Sequence, residues 1–533
     1  MRRSLIGMIT AAALVLAACT ASGQSSGSSS GSAPSTTSGA APLPAPIKAI
    51  LDKPAYAAAD WSLLAVDLNT GATLAALDPD RLAFTGSTRK LFSIGVALNT
   101  LGAGYTTTTA IYRDGTVDGA GVLHGNLYLV GGGDLTFGGR RTADGTLQFT
   151  DFDHNDANSL GTSTLTPQDP LTGVQALADQ VKAAGLSRID GDVVVDDRLF
   201  EPYRVPNQQL LITGSMLNEN MVDVTITPTT PGQPARIEYR PQTPGFTVTG
   251  TVMTTAAGVE PTVAIPAGTT PAGTSVTGVV NCVGQPGCAG TVTGTIPVDY
   301  KAPLSGKGEF VGTFRIENPE NFVRGALIQA LQHSGITVPA PAVGANPTKL
   351  LPASTQYPTA NRVAGYVSLP YAQQVRLILK VSLNLGANLA LIQFGLTKGQ
   401  RTVEGALTAE RSALTGMGIS PESFDFPTNG SGSPDSKASP RAIVNMLTAM
   451  NKTPVAEVYR TALPLLGVDG SLASTGADLA GKGHVYGKTG TTVTDGKLVA
   501  QNLAGYVEAE NGHLIAYAIF VNNYGTLGAW TTC

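Results

Sequence analysis

The sequence predicts an α/β (α+β) domain, helices against a sheet, interrupted by a long β-rich insertion. Three observations carry this. The globular part opens on a strand hairpin followed by a helix. It closes on helices followed by a strand hairpin. The residues between, from about 106 to 301, are strand-like and rich in Thr, Val, Gly and Pro.

The opening hairpin is "WSLLAVDLNTGATLAALD" (Trp61 to Asp78), two apolar runs joined at Asn69-Thr70-Gly71. The helix follows in "AFTGSTRKLFSIGVALNTLG" (Ala83 to Gly102). There the polar cluster Thr85-Gly86-Ser87-Thr88 gives way to Leu91, Ile94, Leu98 and Leu101 at helical spacing. The middle region contains "GNLYLVGGGD", "GDVVVDDRLF", "MVDVTITP", "FTVTGTVMT" and "TVTGTIPVDY", with one helix from Gly173 to Ala184 stopped by Gly185. Helices return in "NFVRGALIQALQHSG", "PYAQQVRLILKVS", "ANLALIQFGLTKG", "VEGALTAERSALTGMG" and "SPRAIVNMLTAM". In the last of these Ser439 is placed as N-cap and Pro440 at the first helical position. The closing hairpin, "LAGYVEAENGHLIAYAIFVNN", turns at Asn511-Gly512. The expected division is residues 45–105 plus 302–533 as one domain and 106–301 as its insertion, with no internal repeat.

The 533 residues are 42% hydrophobic and 14% charged, enough apolar sequence for large cores, and the net charge is −4. No Lys/Arg tract is present, which argues against a nucleic-acid partner. Residues 1–19 read as a targeting segment: Arg2 and Arg3, an apolar run too short to span a membrane comfortably, then Leu16-Ala17-Ala18-Cys19. This resembles a bacterial lipoprotein signal, with Cys19 as the lipidated first residue of the mature chain. The protein is then expected to be exported and held by its lipid on the outer face of the cytoplasmic membrane. The other reading is an ordinary secretory signal and a secreted or periplasmic protein. Residues 20–44 are Ser/Gly/Pro-rich and uncharged, and read as a flexible tether. Cys282 and Cys288 flank a Pro/Gly turn in "NCVGQPGCAG" and are expected to form a disulfide in an exported protein, whereas Cys533 has no evident partner.

Three short motifs carry the chemistry. Ser-x-x-Lys occurs at Ser87–Lys90, Ser-x-Asn at Ser382–Asn384 and Lys-Thr-Gly at Lys488–Gly490, each once and in the order used by penicillin-recognising serine enzymes. Ser87 is a poor nucleophile until a base takes its proton. Lys90 lies one helical turn on, on the same face, and a desolvated amine flanked by other cations can serve as that base. Ser382 can relay a proton to the leaving group, and Asn384 can hold the substrate amide and Lys90. Lys488 and Thr489 can bind a substrate carboxylate. Gly490 lets the strand backbone approach so that a substrate pairs as an added strand. The backbone N–H groups of Ser87 and Thr491 are expected to form the oxyanion hole.

On these motifs the sequence resembles the low-molecular-mass class C penicillin-binding proteins, the D-alanyl-D-alanine carboxypeptidase/endopeptidase family. The resemblance runs from about residue 50 to 525 and includes "GNLYLVGGGDLTF", "GDVVVDDRLFEP", "LPLLGVDGSLA" and "LAGYV". It implies a transpeptidase-like domain of helices on an antiparallel sheet, with inserted domains between the first two motifs. It also implies a serine peptidase acting on peptidoglycan stem peptides, inhibited by β-lactams. Three positions depart from the family pattern: Leu383 and Asn388 stand where acidic residues are usual, and Asn429 opens what is elsewhere an Asp-Gly-Ser-Gly segment.

Two other readings follow from the same motifs. One is a β-lactamase, disfavoured because no Glu-x-x-Asn lies between the second and third motifs. The other is a weakly active cell-wall-binding lipoprotein. No cofactor or metal is expected. His124, His333, His484 and His513 have no paired spacing, "DFDHND" (Asp151 to Asp156) reads as a polar surface turn, and "VGGGD" lacks the Gly-Lys-Ser/Thr end of a phosphate loop.

Overall fold

The computed structural model describes residues 43–494 and 497–526. The expected signal segment with Cys19, nearly all of the tether, and Cys533 lie outside the described residues. Among the described residues no helix is long and apolar enough to cross a membrane.

The chain divides into two compact units. The first comprises the chain up to Ala103, Val375–Lys398 and the chain from Val403 onward; the second comprises Gly104–Gln374 with Gly399–Thr402.

The first unit is built on five antiparallel strands: β1 (Asp60–Asp67), β2 (Thr73–Leu77), β3 (Val485–Thr494), β4 (Lys497–Glu508) and β5 (Leu514–Thr526), in the order β2-β1-β5-β4-β3. The opening and closing hairpins are therefore one sheet, joined where β1 pairs with β5 in the register Trp61↔Val521 and Leu64↔Ala518. Of the helices α1 (Lys90–Leu101), α2 (Asn384–Leu396), α3 (Val403–Gly416) and α4 (Pro440–Met450), α4 lies against the sheet, α1 packs on α4 and α2, and α3 packs on α1 and α2. The first nine residues of α1 and the first twelve of α2 are all buried. Both helices are accordingly apolar nearly all round, as helices wrapped by other elements must be. Ser439 caps α4 through its hydroxyl, 3.1 Å from the Ala442 N–H.

The second unit holds two four-stranded sheets. One runs Arg236–Arg240, Met221–Thr227, Phe310–Ile316, Val279–Val280; the other runs Arg362–Val367, Thr108–Arg113, Leu127–Val130, Val193–Asp196. Helices Thr172–Ala183 and Pro319–His333 contribute Leu177, Val181, Phe322 and Leu327 to its core. Cys282 and Cys288 are bridged, with Cα atoms 5.4 Å apart.

The insertion extends beyond the expected boundary at residue 301. Phe310–Ile316 pairs with Met221–Thr227, and Arg362–Val367 pairs with Thr108–Arg113, so each sheet of the insertion needs a strand from residues 302–374. Helical periodicity resumes at residue 319, but periodicity does not say which core a helix joins. The second junction falls at Gln374/Val375, inside the helix Tyr371–Lys380.

The segment read as a polar surface turn is buried at its centre, although Asp151 is exposed. Asp153, His154 and Asn155 are 3%, 8% and 1% exposed. Asp153 accepts from both terminal nitrogens of Arg140 at 2.9 and 3.0 Å, and Arg140 Nε donates to Glu219. His154 Nδ1 lies 2.7 Å from Asp223, which also accepts from Arg240 Nε at 3.3 Å. One ligand atom from each of Asp153, His154 and Glu219 falls within 4.8 Å of the others, a spacing that would suit a metal. Here the Arg140 guanidinium binds both carboxylates and sits 3.2 Å from His154 Nε2. Two guanidiniums and an imidazolium thus face three carboxylates, which is how buried charges persist.

Burial opposes charge on His154, but Asp223, Glu219 and Asp153 outweigh it and push the imidazole up to about 10. That value stands above the unfolded value of about 6.5. Its stabilisation is therefore complete below about pH 6.5 and is lost as the pH rises toward 10. The melting temperature is expected to fall between pH 7 and 10, and His154→Gln should be less stable at pH 7 with a flatter pH dependence. Thermal unfolding across that range checks this, and equal slopes for both proteins would contradict it.

Candidate active site

Ser87 sits in the single helical turn Gly86–Arg89 that leads into α1. Its hydroxyl does not cap the helix; it points to Lys90, whose Nζ lies 2.8 Å away. Three groups fix this turn. Arg89, fully buried, donates to both carboxylate oxygens of Glu410 on α3 and stacks 3.8 Å over Phe426. Asn502 on β4 donates to the carbonyls of Phe84 and Thr85 at 2.7 and 2.9 Å. Gly86, with φ +48°, lets β3 close in: a Cβ there would lie 2.6 Å from the Thr491 nitrogen.

Lys90 is 0% exposed, and its Nζ meets oxygens of four residues from three segments. Besides Ser87 Oγ these are Asn384 Oδ1 at 2.6 Å, the Ser431 carbonyl at 3.2 Å and Ser382 Oγ at 3.3 Å. Asn384 Oδ1 and the Ser431 carbonyl can only accept. A neutral amine gives them its two N–H groups, which leaves the lone pair for a serine O–H.

Ser382 occupies the break between the helix Tyr371–Lys380 and α2, with φ +61°. This left-handed conformation is disfavoured for serine and is typical of functional positions held by their surroundings. Lys488 Nζ donates to Ser382 Oγ at 2.9 Å and to the Thr489 carbonyl at 3.0 Å. Ser382 thus lies between two buried amines. Leu383 is 1% exposed, packed in the core beside α2.

Lys488, Thr489, Gly490 and Thr491 lie along β3, the edge strand of the sheet. Gly490 answers to the Ser87 turn: a Cβ there would meet the Thr85 carbonyl at 2.3 Å. Thr491 Oγ1 donates to Gln501 at 2.9 Å. The three motifs and Thr491 therefore lie together within the first unit.

The loop Asn429–Gly432, the segment that departs from Asp-Gly-Ser-Gly, packs beside Lys90. Asn429 Oδ1 accepts the N–H groups of Ser431 at 2.8 Å and Gly432 at 2.6 Å. Asn388 on α2 donates to Ser431 Oγ at 3.0 Å and accepts from the Gly430 N–H at 2.8 Å. Ser93 on α1 donates to the Gly430 carbonyl at 2.7 Å. These contacts aim the Ser431 carbonyl at Lys90. The resemblance to Asp-Gly-Ser-Gly marked this segment in the sequence, but nothing there marked the Ser431 carbonyl as a partner of Lys90.

A family model described as D-Ala-D-Ala carboxypeptidase 3 (S13) matches residues 43–531. The chain is 27% identical over 500 residues to a D-alanyl-D-alanine carboxypeptidase of an Actinomadura species, covering 90% of this chain and 80% of that one. Its fold is similar to the crystal structure of penicillin binding protein 4 from Haemophilus influenzae, with 19% identity and TM-score 0.62 over 88% of this chain and 92% of that one. The complex of that protein with a novel β-lactam gives TM-score 0.60 at 20% identity, over 88% and 91% of the two chains.

Gly432 has φ +125°, and a Cβ there would lie 1.9 Å from the Gly86 carbonyl oxygen. Gly432→Ala must therefore displace the Ser87 turn. Its expected cost is at least about 1–3 kcal/mol in unfolding free energy, with slower modification of Ser87 by a serine-directed phosphonate. Denaturant unfolding and the modification rate read the two effects, and a variant unchanged in both would contradict the close approach.

Proposed function

Because the chain belongs to the D-Ala-D-Ala carboxypeptidase 3 (S13) family, we propose that it is a penicillin-sensitive serine peptidase of peptidoglycan. It removes the terminal D-Ala from stem peptides ending in D-Ala-D-Ala, or cleaves D-peptide cross-links, through an acyl-enzyme on Ser87. The observation that carries this reading is the Lys90 amine, fully buried, 2.8 Å from Ser87 Oγ and 3.3 Å from Ser382 Oγ.

The steps follow from that geometry. A stem peptide lies along the edge of β3 as an added strand, and its terminal carboxylate meets Lys488 and Thr489. Ser87 Oγ attacks the carbonyl carbon of the penultimate D-Ala while its proton passes to Lys90. The oxygen becomes an oxyanion held by the N–H groups of Ser87 and Thr491. As the C–N bond breaks, Ser382 gives its proton to the leaving nitrogen and takes one from Lys90. Asn384 holds both the substrate amide and the Lys90 amine. Water then cleaves the ester and frees Ser87. A β-lactam enters the same path, but its leaving nitrogen stays tethered, so the ester persists.

A β-lactamase would need a group that aims water at that ester. Asn388, beside the second motif, is uncharged and engaged at both ends of its amide, donating to the Asn384 carbonyl and Ser431 Oγ and accepting from Gly430. This favours the peptidase. For location, we infer a lipid anchor on Cys19 and a tether over residues 20–44 on the outer face of the cytoplasmic membrane. The support is the ending Leu16-Ala17-Ala18-Cys19 and the uncharged Ser/Gly/Pro composition that follows.

Fluorescent penicillin should label the protein, and mass mapping should place the adduct on the peptide containing Ser87. Ser87→Ala abolishes labelling and D-Ala release, and Lys90→Ala slows acylation by about 10²–10⁴-fold. An adduct elsewhere would overturn the assignment. So would rapid turnover of penicillin with no D-Ala released from muropeptides. In cells, Cys19→Ala should leave the membrane fraction or stay unprocessed; fully processed, membrane-bound variant would refute the anchor.

A further inference from the structure

Thr489 of the third motif is paired with a hydroxyl that none of the three motifs contains. Ser471 Oγ lies 3.1 Å from Thr489 Oγ1. Ser471 is the middle residue of the short turn Gly470–Leu472, and surrounding contacts determine where it sits. Asp469, just before the turn, accepts both Lys380 Nζ, at 2.6 and 2.7 Å, and the Leu465 N–H at 2.8 Å. Gly470 has φ +60°, and a Cβ there would meet the Lys380 carbonyl at 2.6 Å. Lys380 stands two residues before Ser382 and is 3% exposed. One ion pair thus ties the turn that presents Ser471 to the helix end that presents Ser382.

A hydroxyl carries one proton and two lone pairs, so in this pair one oxygen donates and the other accepts. If Thr489 donated to Ser471, it would turn lone pairs toward an incoming carboxylate and repel it. If Ser471 donates, the Thr489 proton is left for the ligand. We infer that Ser471 is a positioning residue of the carboxylate clamp. Its hydroxyl donates to Thr489 Oγ1 and so commits the Thr489 proton to the terminal carboxylate of the D-alanyl substrate. Lys488 then contributes charge, while the Ser471–Thr489 pair contributes direction. Charge-assisted hydrogen bonds gain most from such pre-orientation. This inference rests on the peptidase reading above.

The test is steady-state release of D-Ala from a tripeptide ending in D-Ala-D-Ala, by the full chain and by Ser471→Ala, Ser471→Thr, Thr489→Val and the Ser471→Ala/Thr489→Val double variant. Ser471→Ala should raise KM about 5-fold, the worth of one neutral hydrogen bond, with kcat held within about twofold. Ser471→Thr should restore the wild-type KM. In the Thr489→Val background Ser471→Ala should change nothing further, because its effect passes through Thr489. An unchanged KM in Ser471→Ala would overturn the inference. So would a fall in kcat alone, no rescue by threonine, or the same loss in the Thr489→Val background. A wild-type protein that neither releases D-Ala nor takes penicillin on Ser87 would overturn the peptidase reading and this inference together. A wild type that does both, beside an indifferent Ser471→Ala, would overturn this inference alone.

Discussion

The cleft depends on keeping the Lys90 amine out of water. A fully buried amine needs polar partners on every side, and here four residues from three separate stretches supply them: Ser87, then Ser382 and Asn384, then the Ser431 carbonyl. Each partner is in turn fixed by something larger. Asn502 and the Arg89–Glu410 pair hold the Ser87 turn, Asn429 and Asn388 hold Ser431, and Lys380–Asp469 anchors the approach to Ser382. The protein matrix thereby supplies oriented dipoles in place of solvent, which is the larger part of what a preorganised site contributes.

Seen from Lys90, two departures from the family pattern become intelligible. Asn388 uses its amide as both donor and acceptor, giving hydrogens to the Asn384 carbonyl and Ser431 Oγ and receiving one from Gly430. A carboxylate at that position could accept but not donate. Asn429 likewise accepts from Ser431 and Gly432 through its oxygen while its nitrogen donates to Thr428 Oγ1 at 3.0 Å. The pair forms a loop scaffold without formal charge under a lysine whose reactivity depends on nearby charge. Leu383 is simpler: its side chain is 1% exposed, so an apolar residue is what that place now accepts.

Glycine recurs where backbone meets backbone. Gly86, Gly432 and Gly490 surround the Ser87 turn, and in each a methyl group would intrude on a carbonyl or amide of a distant segment at 2.6 Å or less. The Ser87 turn, the edge strand and the loop Asn429–Gly432 can approach this closely only because all three positions lack a side chain.

The sequence by itself determined the kind of protein. Local signals were sufficient there: two hairpins with turn residues, helical spacing after Ser87, and three motifs whose residue types follow from acyl transfer. The pairing of Cys282 and Cys288 was legible for the same reason, since a sequence separation of only 6 across a Pro/Gly turn keeps them near each other. Tertiary structure alone decided what depends on partners far along the chain. The end of the insertion moved from 301 to 374 because strands at 310–316 and 362–367 complete sheets begun near residues 221 and 108. Asp153 and His154 proved buried because Arg140, Glu219 and Asp223, distant in sequence, neutralise them. Ser431 meets Lys90 and Ser471 meets Thr489 for the same reason. Nothing local marks a serine whose partner is Lys90 or Thr489, because such contacts exist only once the sheet and helices have closed around them.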